Sequence, residues 1–226
     1  MIYTFWEGPL PAYINLCLET WDFEYRLLNF RNLNQYTDLD VEKIKRFTLA
    51  QVSDVVRVHV LRDNGGTWMD ADTIMITGNK PETNMIGVPE ERGAHCGYLN
   101  FSQGAQMLKE WAENQDRVIY SDDPGYGWDV FANRFSDGFV KSHPEITICD
   151  RTKFFPEISM ITSDIPAKEK YLRFYFKERY HLSDLKGIDM LMLHNSWTPE
   201  WYKNMTEDKL FQCECTMSNI LKEIFK

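Results

Sequence analysis

Two aspartates one residue apart dominate this chain: Asp70-Ala71-Asp72, within Gly65-Gly66-Thr67-Trp68-Met69-Asp70-Ala71-Asp72-Thr73. Carboxylates so close repel each other unless a cation sits between or beside them. At the end of a strand they can hold Mn²⁺ or Mg²⁺ through hard oxygens and leave coordination positions for phosphate. The plainer alternative is a solvated acidic turn, because a bare Asp-x-Asp often arises by chance. A second polar set, Ser53-Asp54-Val55-Val56-Arg57, lies upstream. Asp54 and Arg57 are three residues apart and share a face of a helix. They form either a surface ion pair worth well under about 1 kcal/mol or a polar pair aimed into a pocket, where carboxylate and guanidinium grip sugar hydroxyls. Spacing does not separate the two. The third candidate is His194, in His194-Asn195-Ser196-Trp197; a histidine at a strand end is either a ligand or a hydrogen-bonded structural residue.

Periodicity and turn residues supply the elements that must carry these groups. Ile2 to Trp6 reads as a strand ending before Gly8-Pro9, and Pro11 opens a helix to about Trp21. Tyr25 to Asn29 reads as a second strand. Ser53 begins, or lies within, a valine-rich helix that stops at Asn64-Gly65-Gly66. Thr67 to Met69 follows as a short strand with Asp70 at its end. Further strands are expected at Met75–Ile76, Met85–Val88 and Ile188–Leu193. Helices are expected at Gln106–Glu113, Tyr126–Arg134, Ala167–Arg179 and Met217–Phe225. Alternating strands and helices predict an α/β sheet that takes ligands at the carboxyl ends of its strands. Asp70 and His194 both fall at such ends.

Bulk properties narrow the class. The 226 residues suit one large α/β domain, and no linker-like stretch interrupts them. The expectation is one domain, with 1–80 as its ligand-binding part and 81–226 as its second part and closing element. A net charge of −9 disfavours nucleic acid. It also means that a phosphorylated small ligand needs local neutralisation, for which a bound divalent cation is the usual means. The N-terminal run shows no secretory signal, and no run of about 18 apolar residues is present to span a membrane. Five cysteines at irregular spacing read as reduced thiols of a cytoplasmic protein; Cys213-Glu214-Cys215 lacks zinc-knuckle spacing. The tail Ile220–Lys226 either packs on the domain or touches a membrane surface.

Taken together, Ser53-Asp54-x-x-Arg57, the helix after it, Gly65-Gly66, an aromatic at 68 and Asp70-x-Asp72 resemble the DXD sugar-binding glycosyltransferases. That group includes the capsular-polysaccharide synthesis proteins and the yeast mannosyltransferase-like enzymes, with the large glucosylating bacterial toxins more distant. Phe5-Trp6-Glu7-Gly8-Pro9-Leu10-Pro11 resembles the capsular group's first strand and turn. The match is specific over residues 1 to 78, thins to about 185 and returns at His194–Trp197.

The resemblance implies a single GT-A-type, Rossmann-like domain with a mixed central sheet, Mn²⁺ or Mg²⁺ as cofactor, and a nucleotide-sugar donor. UDP-hexose is preferred and GDP-hexose second. The acceptor is a glycan or lipid-linked sugar. Residue by residue, Phe5 and Trp6 meet the nucleotide, and Trp6 stacks on the base. Ser53, Asp54 and Arg57 contact the donor sugar. Asp72 ligates the metal directly and Asp70 reaches the metal or the ribose, directly or through water, with Ala71 between them beside the donor. His194, Ser196 and Trp197 close over the diphosphate, with His194 as a further metal ligand. This chain has one residue fewer between His and Ser than the family element. Asn100, Asp123 and Trp128 are candidates for donor or acceptor contact, with Asp122-Asp123-Pro124-Gly125 matching a Gly-Pro element in part; Tyr98, Phe101 and Trp111 read as core. The implied transfer retains anomeric configuration. The rival enzyme reading is a haloacid dehalogenase-type phosphohydrolase with Asp70 as nucleophile and Asp72 as acid/base. The non-catalytic rival is a sugar-nucleotide-binding protein that has lost turnover.

Overall fold

The computed structural model describes residues 1–121, 127 and 129–226. In chain order its strands are β1 (Ile2–Phe5), β2 (Tyr25–Leu28), β3 (Gly66–Met69), β4 (Thr73–Met75), β5 (Met85–Val88), β6 (Gly93–Phe101), β7 (Ile148–Asp150) and β8 (Met190–Met192). Its helices are α1 (Ala12–Glu19), α2 (Val41–Ile44), α3 (Leu49–Asn64), α4 (Gln106–Ile119), α5 (Asn133–Ser142), α6 (Glu157–Met160), α7 (Ala167–Phe176), α8 (Glu200–Lys203), α9 (Glu207–Gln212) and α10 (Thr216–Ile224). They make two compact units, each built from three chain segments: Met1–Gly8, Glu24–Asp70 and Pro81–Asp150 in the first, Pro9–Phe23, Ala71–Lys80 and Arg151–Lys226 in the second.

The first unit is built on a six-stranded sheet in the order β2-β1-β3-β6-β5-β7. β1 runs parallel to β2 and β3, β5 runs parallel to β7, and β6 is antiparallel to both its neighbours. This is the α/β architecture with a mixed central sheet that the sequence implied. Its core includes Val52, Val55, Val56, Val58 and Leu61 of α3, Trp68 of β3 and Leu108 and Trp111 of α4. Burying several such side chains, at about 1.5–3 kcal/mol each, is the main force holding the unit together. The N-terminus of α3 is set by a capping box: Thr48 Oγ1 accepts from the Gln51 N–H, and Gln51 Oε1 accepts from the Thr48 N–H. Its end is set by glycine. Gly65 and Gly66 take φ of 66° and 102°, and a Cβ would lie 2.5 Å from Gln103 N at the first and 2.6 Å from the Met1 carbonyl oxygen at the second. Only glycine combines that backbone with that closeness.

Several boundaries differ from the sequence expectation. β6 had no counterpart: its Gly93-Ala-His-Cys-Gly-Tyr-Leu-Asn-Phe101 run lacks alternation because most of the strand is buried on both faces. α4 runs on to Ile119, and β4 ends at Met75, before Ile76. The helix expected at Tyr126–Arg134 instead begins at Asn133, after turns over 129–132. Asp122-Asp123-Pro124-Gly125, Tyr126 and Trp128 lie outside the described residues.

In the second unit β4 pairs antiparallel with β8, Thr73 opposite Met192. The end of α1 fastens this pair: Thr20 Oγ1 accepts from the Met75 N–H at 2.8 Å, and Trp21 Nε1 donates to the Thr73 carbonyl at 2.8 Å. Met217, Ile220 and Leu221 of α10 are buried, so the packed alternative is the one the tail adopts. Among the described residues no helix is long and apolar enough to cross a membrane.

Candidate active site

Asp70 follows β3 directly, and its N–H bonds the Gly97 carbonyl of β6 at 3.0 Å. β1 and β3 are adjacent and parallel, so Trp6 and Asp70 stand at the same, carboxyl edge of the sheet, where α/β proteins take ligands. Arg57 reaches that edge from α3. Its Nη2 lies 3.0 Å from Asp54 Oδ1 and 3.2 Å from Asp70 Oδ1, with side-chain exposures of 7% for Arg57, 15% for Asp54 and 27% for Asp70. Nη1 donates to the Cys96 carbonyl at 2.6 Å, and the Ser53 carbonyl and hydroxyl accept from Nε and Nη2. The guanidinium lies 5.4 Å over the Trp68 ring, and Trp68 Nε1 donates to Asp70 Oδ1 at 2.8 Å.

Asp54 and Arg57 are therefore not the exposed surface pair. They form one half of a buried cluster in which a single cation faces two carboxylates. Burial pushes the Asp54 carboxyl up to about 6, with Arg57 opposing the rise and Asp70 adding to it. The cluster lacks one positive charge for every carboxylate to be paired.

Asp72 belongs to the second unit. Its carbonyl accepts from the Leu193 N–H at 3.0 Å, and its Oδ2 accepts from the Asn195 N–H at 2.7 Å. Continuation of the β4–β8 ladder thus sets the 193–195 segment against Asp72. Asn195 Oδ1 accepts from the Tyr13 hydroxyl. Burial, aided by the Asp72 charge, raises the Tyr13 pKa so far that the phenol stays neutral. His194 is stacked on Phe155 at 5.4 Å and 13°, with Trp197 at 4.0 Å and Tyr171 edge-on at 5.5 Å. Its ring plane is fixed by aromatic packing.

The remaining expected residues are placed as follows. Trp6 is half-buried, and its N–H bonds the Leu28 carbonyl at 3.0 Å. Phe5, at 6% exposure, packs edge-on to Phe30 in a strand whose four residues are all buried. Ala71 is buried and Ser196 exposed. Asn100 pairs with Thr67, toward the start of β3, and its Oδ1 accepts from the Thr67 hydroxyl. It holds the sheet, away from the Asp70 edge. Tyr98, Phe101 and Trp111 are buried as expected. Three residues went unnoticed as contributors: Trp68 as a donor to Asp70, and Tyr13 and Asn195 around Asp72. Trp68 and Asn195 carried a signal, the first as the aromatic before Asp70-x-Asp72 and the second directly after a strand-end histidine; Tyr13 carried none. Among the described residues no group of three or more His, Cys, Asp or Glu side chains is gathered as a metal centre.

Residues 2–123, more than half of the chain, match the family described as "Capsular polysaccharide synthesis protein". The chain belongs to that family. The matched segment contains the Asp54–Arg57–Asp70 cluster and Asp72, whereas His194–Trp197 and α10 lie beyond it. No curated protein matches the chain. Among solved structures it is similar to the PaToxG glycosyltransferase, with 12% identity, 97% of this chain and 84% of that one covered, and a TM-score of 0.43. It is also similar to the galactosyltransferase LgtC in complex with donor and acceptor sugar analogues, with 11% identity, 99% and 94% covered, and a TM-score of 0.45. Neither likeness is tight enough to bear on activity.

Proposed function

We propose that the chain is a metal-dependent GT-A-type glycosyltransferase, its units acting as one domain, that moves a hexose from a nucleoside-diphosphate sugar to a hydroxyl of a glycan or lipid-linked sugar. One observation carries the reading: a buried guanidinium holds two carboxylates together at the carboxyl edge of a parallel strand pair, in a chain of the capsular polysaccharide synthesis family.

The donor is an anion and the chain carries −9, so neutralisation must be local. Asp70 and Asp72 are joined through one residue, which keeps their Cα atoms within about 7 Å by connectivity alone. Their hard oxygens suit Mn²⁺ or Mg²⁺, and the excess negative charge of the Arg57 cluster favours a cation beside it. A divalent ion there supplies charge stabilisation to the departing diphosphate. Arg57, engaged by Ser53, Cys96, Asp54 and Asp70, positions Asp70. Asp54 orients a sugar hydroxyl. Trp6 offers its indole to the base. His194, Ser196 and Trp197 serve the diphosphate, as the family resemblance implies. We prefer UDP as the carrier, with GDP second, and retention by front-face attack of the acceptor hydroxyl, whose proton passes to the leaving diphosphate.

Calorimetric titration with UDP and GDP, each with Mn²⁺ and with EDTA, tests this on wild type and on Asp72→Asn. The expected result is binding of one nucleotide that requires metal and weakens at least about tenfold in the variant, a loss of about 1.4 kcal/mol. Absence of binding to either nucleotide under every condition refutes the proposal.

A further inference from the structure

Beyond the family-matched segment, the chain between α9 and α10 carries a pair of thiols that the transferase reading does not use. Cys213 is the C-cap of α9 and Cys215 the N-cap of α10, and both are extended, with φ/ψ of −68°/136° and −146°/164°. Extended backbone puts alternate side chains on one side. The two sulfurs accordingly converge to 3.7 Å, while Glu214 points the other way, to Arg179 at 2.8 Å. Cys213 is half-buried and Cys215 is 2% exposed. Lys222 Nζ donates to the Cys213 carbonyl at 3.0 Å and holds the backbone at the pair. Burial raises the pKa of the Cys215 thiol, so the more accessible Cys213 is the one that meets a small disulfide first. Among the five thiols, all free, only this pair is at such mutual distance among the described contacts.

We propose that Cys213 and Cys215 are a reversible modification site, oxidised to an intrachain disulfide by a small-molecule disulfide of the glutathione type. The Cys213 thiolate attacks one sulfur of the small disulfide, forming a mixed disulfide and expelling one thiolate. Cys215, deprotonated in turn, attacks the Cys213 sulfur and expels the second. Overall the dithiol loses two electrons and two protons, and the small disulfide is reduced to two thiols. Closing the bond needs the sulfurs to approach from 3.7 Å to about 2.05 Å. Two residues of extended chain span at most about 7 Å between Cα atoms, at the upper edge of the usual disulfide range. A reduced small thiol opens the bond again by the reverse exchange. This makes the site a reversible one, and oxidation joins the end of α9 covalently to the start of α10.

The test is independent of catalytic activity. The folded full chain is incubated with oxidised glutathione, quenched by alkylation and digested with trypsin. The expected product is the peptide from Leu210 to Lys222, lighter by two hydrogens, blocked to alkylation and restored by reduced glutathione. Cys213→Ser abolishes it. Cys215→Ser stops at a mixed disulfide on Cys213. Peptide 210–222 that keeps both thiols alkylatable after oxidation overturns the proposal, as does a wild-type chain that stops at the Cys213 mixed disulfide.

Discussion

Arg57→Met removes the one cation from between two largely buried carboxylates, Asp54 at 3.0 Å and Asp70 at 3.2 Å. At an effective dielectric of about 20, each contact is worth several kcal/mol of attraction. Most of that offsets the cost of burying the charges, so the net effect is the cost of leaving two carboxylates unpaired, about 3–5 kcal/mol. For a chain of this size that lowers Tm by about 10 °C. The loss depends on pH in a definite direction. Asp54 already has its folded pKa raised to about 6, above its ordinary value of 3.8. Without Arg57 it rises further, so the folded variant binds a proton more tightly than the unfolded chain does. The variant recovers stability as pH falls toward 5 and is worst at pH 8. Thermal unfolding by circular dichroism at both pH values measures this, with Arg57→Met/Asp54→Asn as the second variant. Replacing Asp54 by a neutral isostere should restore about half the loss at pH 8. A single variant within about 2 °C of wild type at pH 8, or a double variant less stable than the single, refutes the buried-cluster account.

Two further outcomes are expected. Gly66→Ala should cost about 2–4 kcal/mol, because it places a Cβ 2.6 Å from the Met1 carbonyl at a φ of 102°; an unchanged Tm would show that the turn after α3 relaxes freely. His143 lies 3.1 Å from Glu110 and 2.9 Å from Glu145. Burial lowers its pKa, but the bonds to the two carboxylates outweigh this and leave it raised. Its contribution is therefore complete below about 6.5 and lost as pH rises through the folded pKa. The Tm difference between wild type and His143→Gln should be largest near pH 5 and close to zero near pH 9, and a difference that does not vary with pH would remove the charge from the explanation.

Local chemistry made much of this protein legible in advance. The valine-rich run before Asn64-Gly65-Gly66 reads as a helix that stops at glycine, and the short strand after it delivers Asp70 to an edge. Those signals are carried by neighbours in sequence, as is the Asp70–Asp72 spacing. β6 was not legible, because a strand buried in mid-sheet has no alternation to betray it, and its partners β3 and β5 are set by long-range pairing. The same holds for the chemistry of Arg57. Its three-residue spacing from Asp54 allowed a surface pair or a buried one, and choosing between them required knowing that the Cys96 carbonyl and Asp70 arrive at the same point from other strands. Asp72 likewise meets Asn195 only because β4 pairs with β8 across more than a hundred residues. The sequence alone settled which residue types carry charge and where the chain turns. Tertiary structure decided which charges are buried together, because burial and partnership depend on segments distant in the chain.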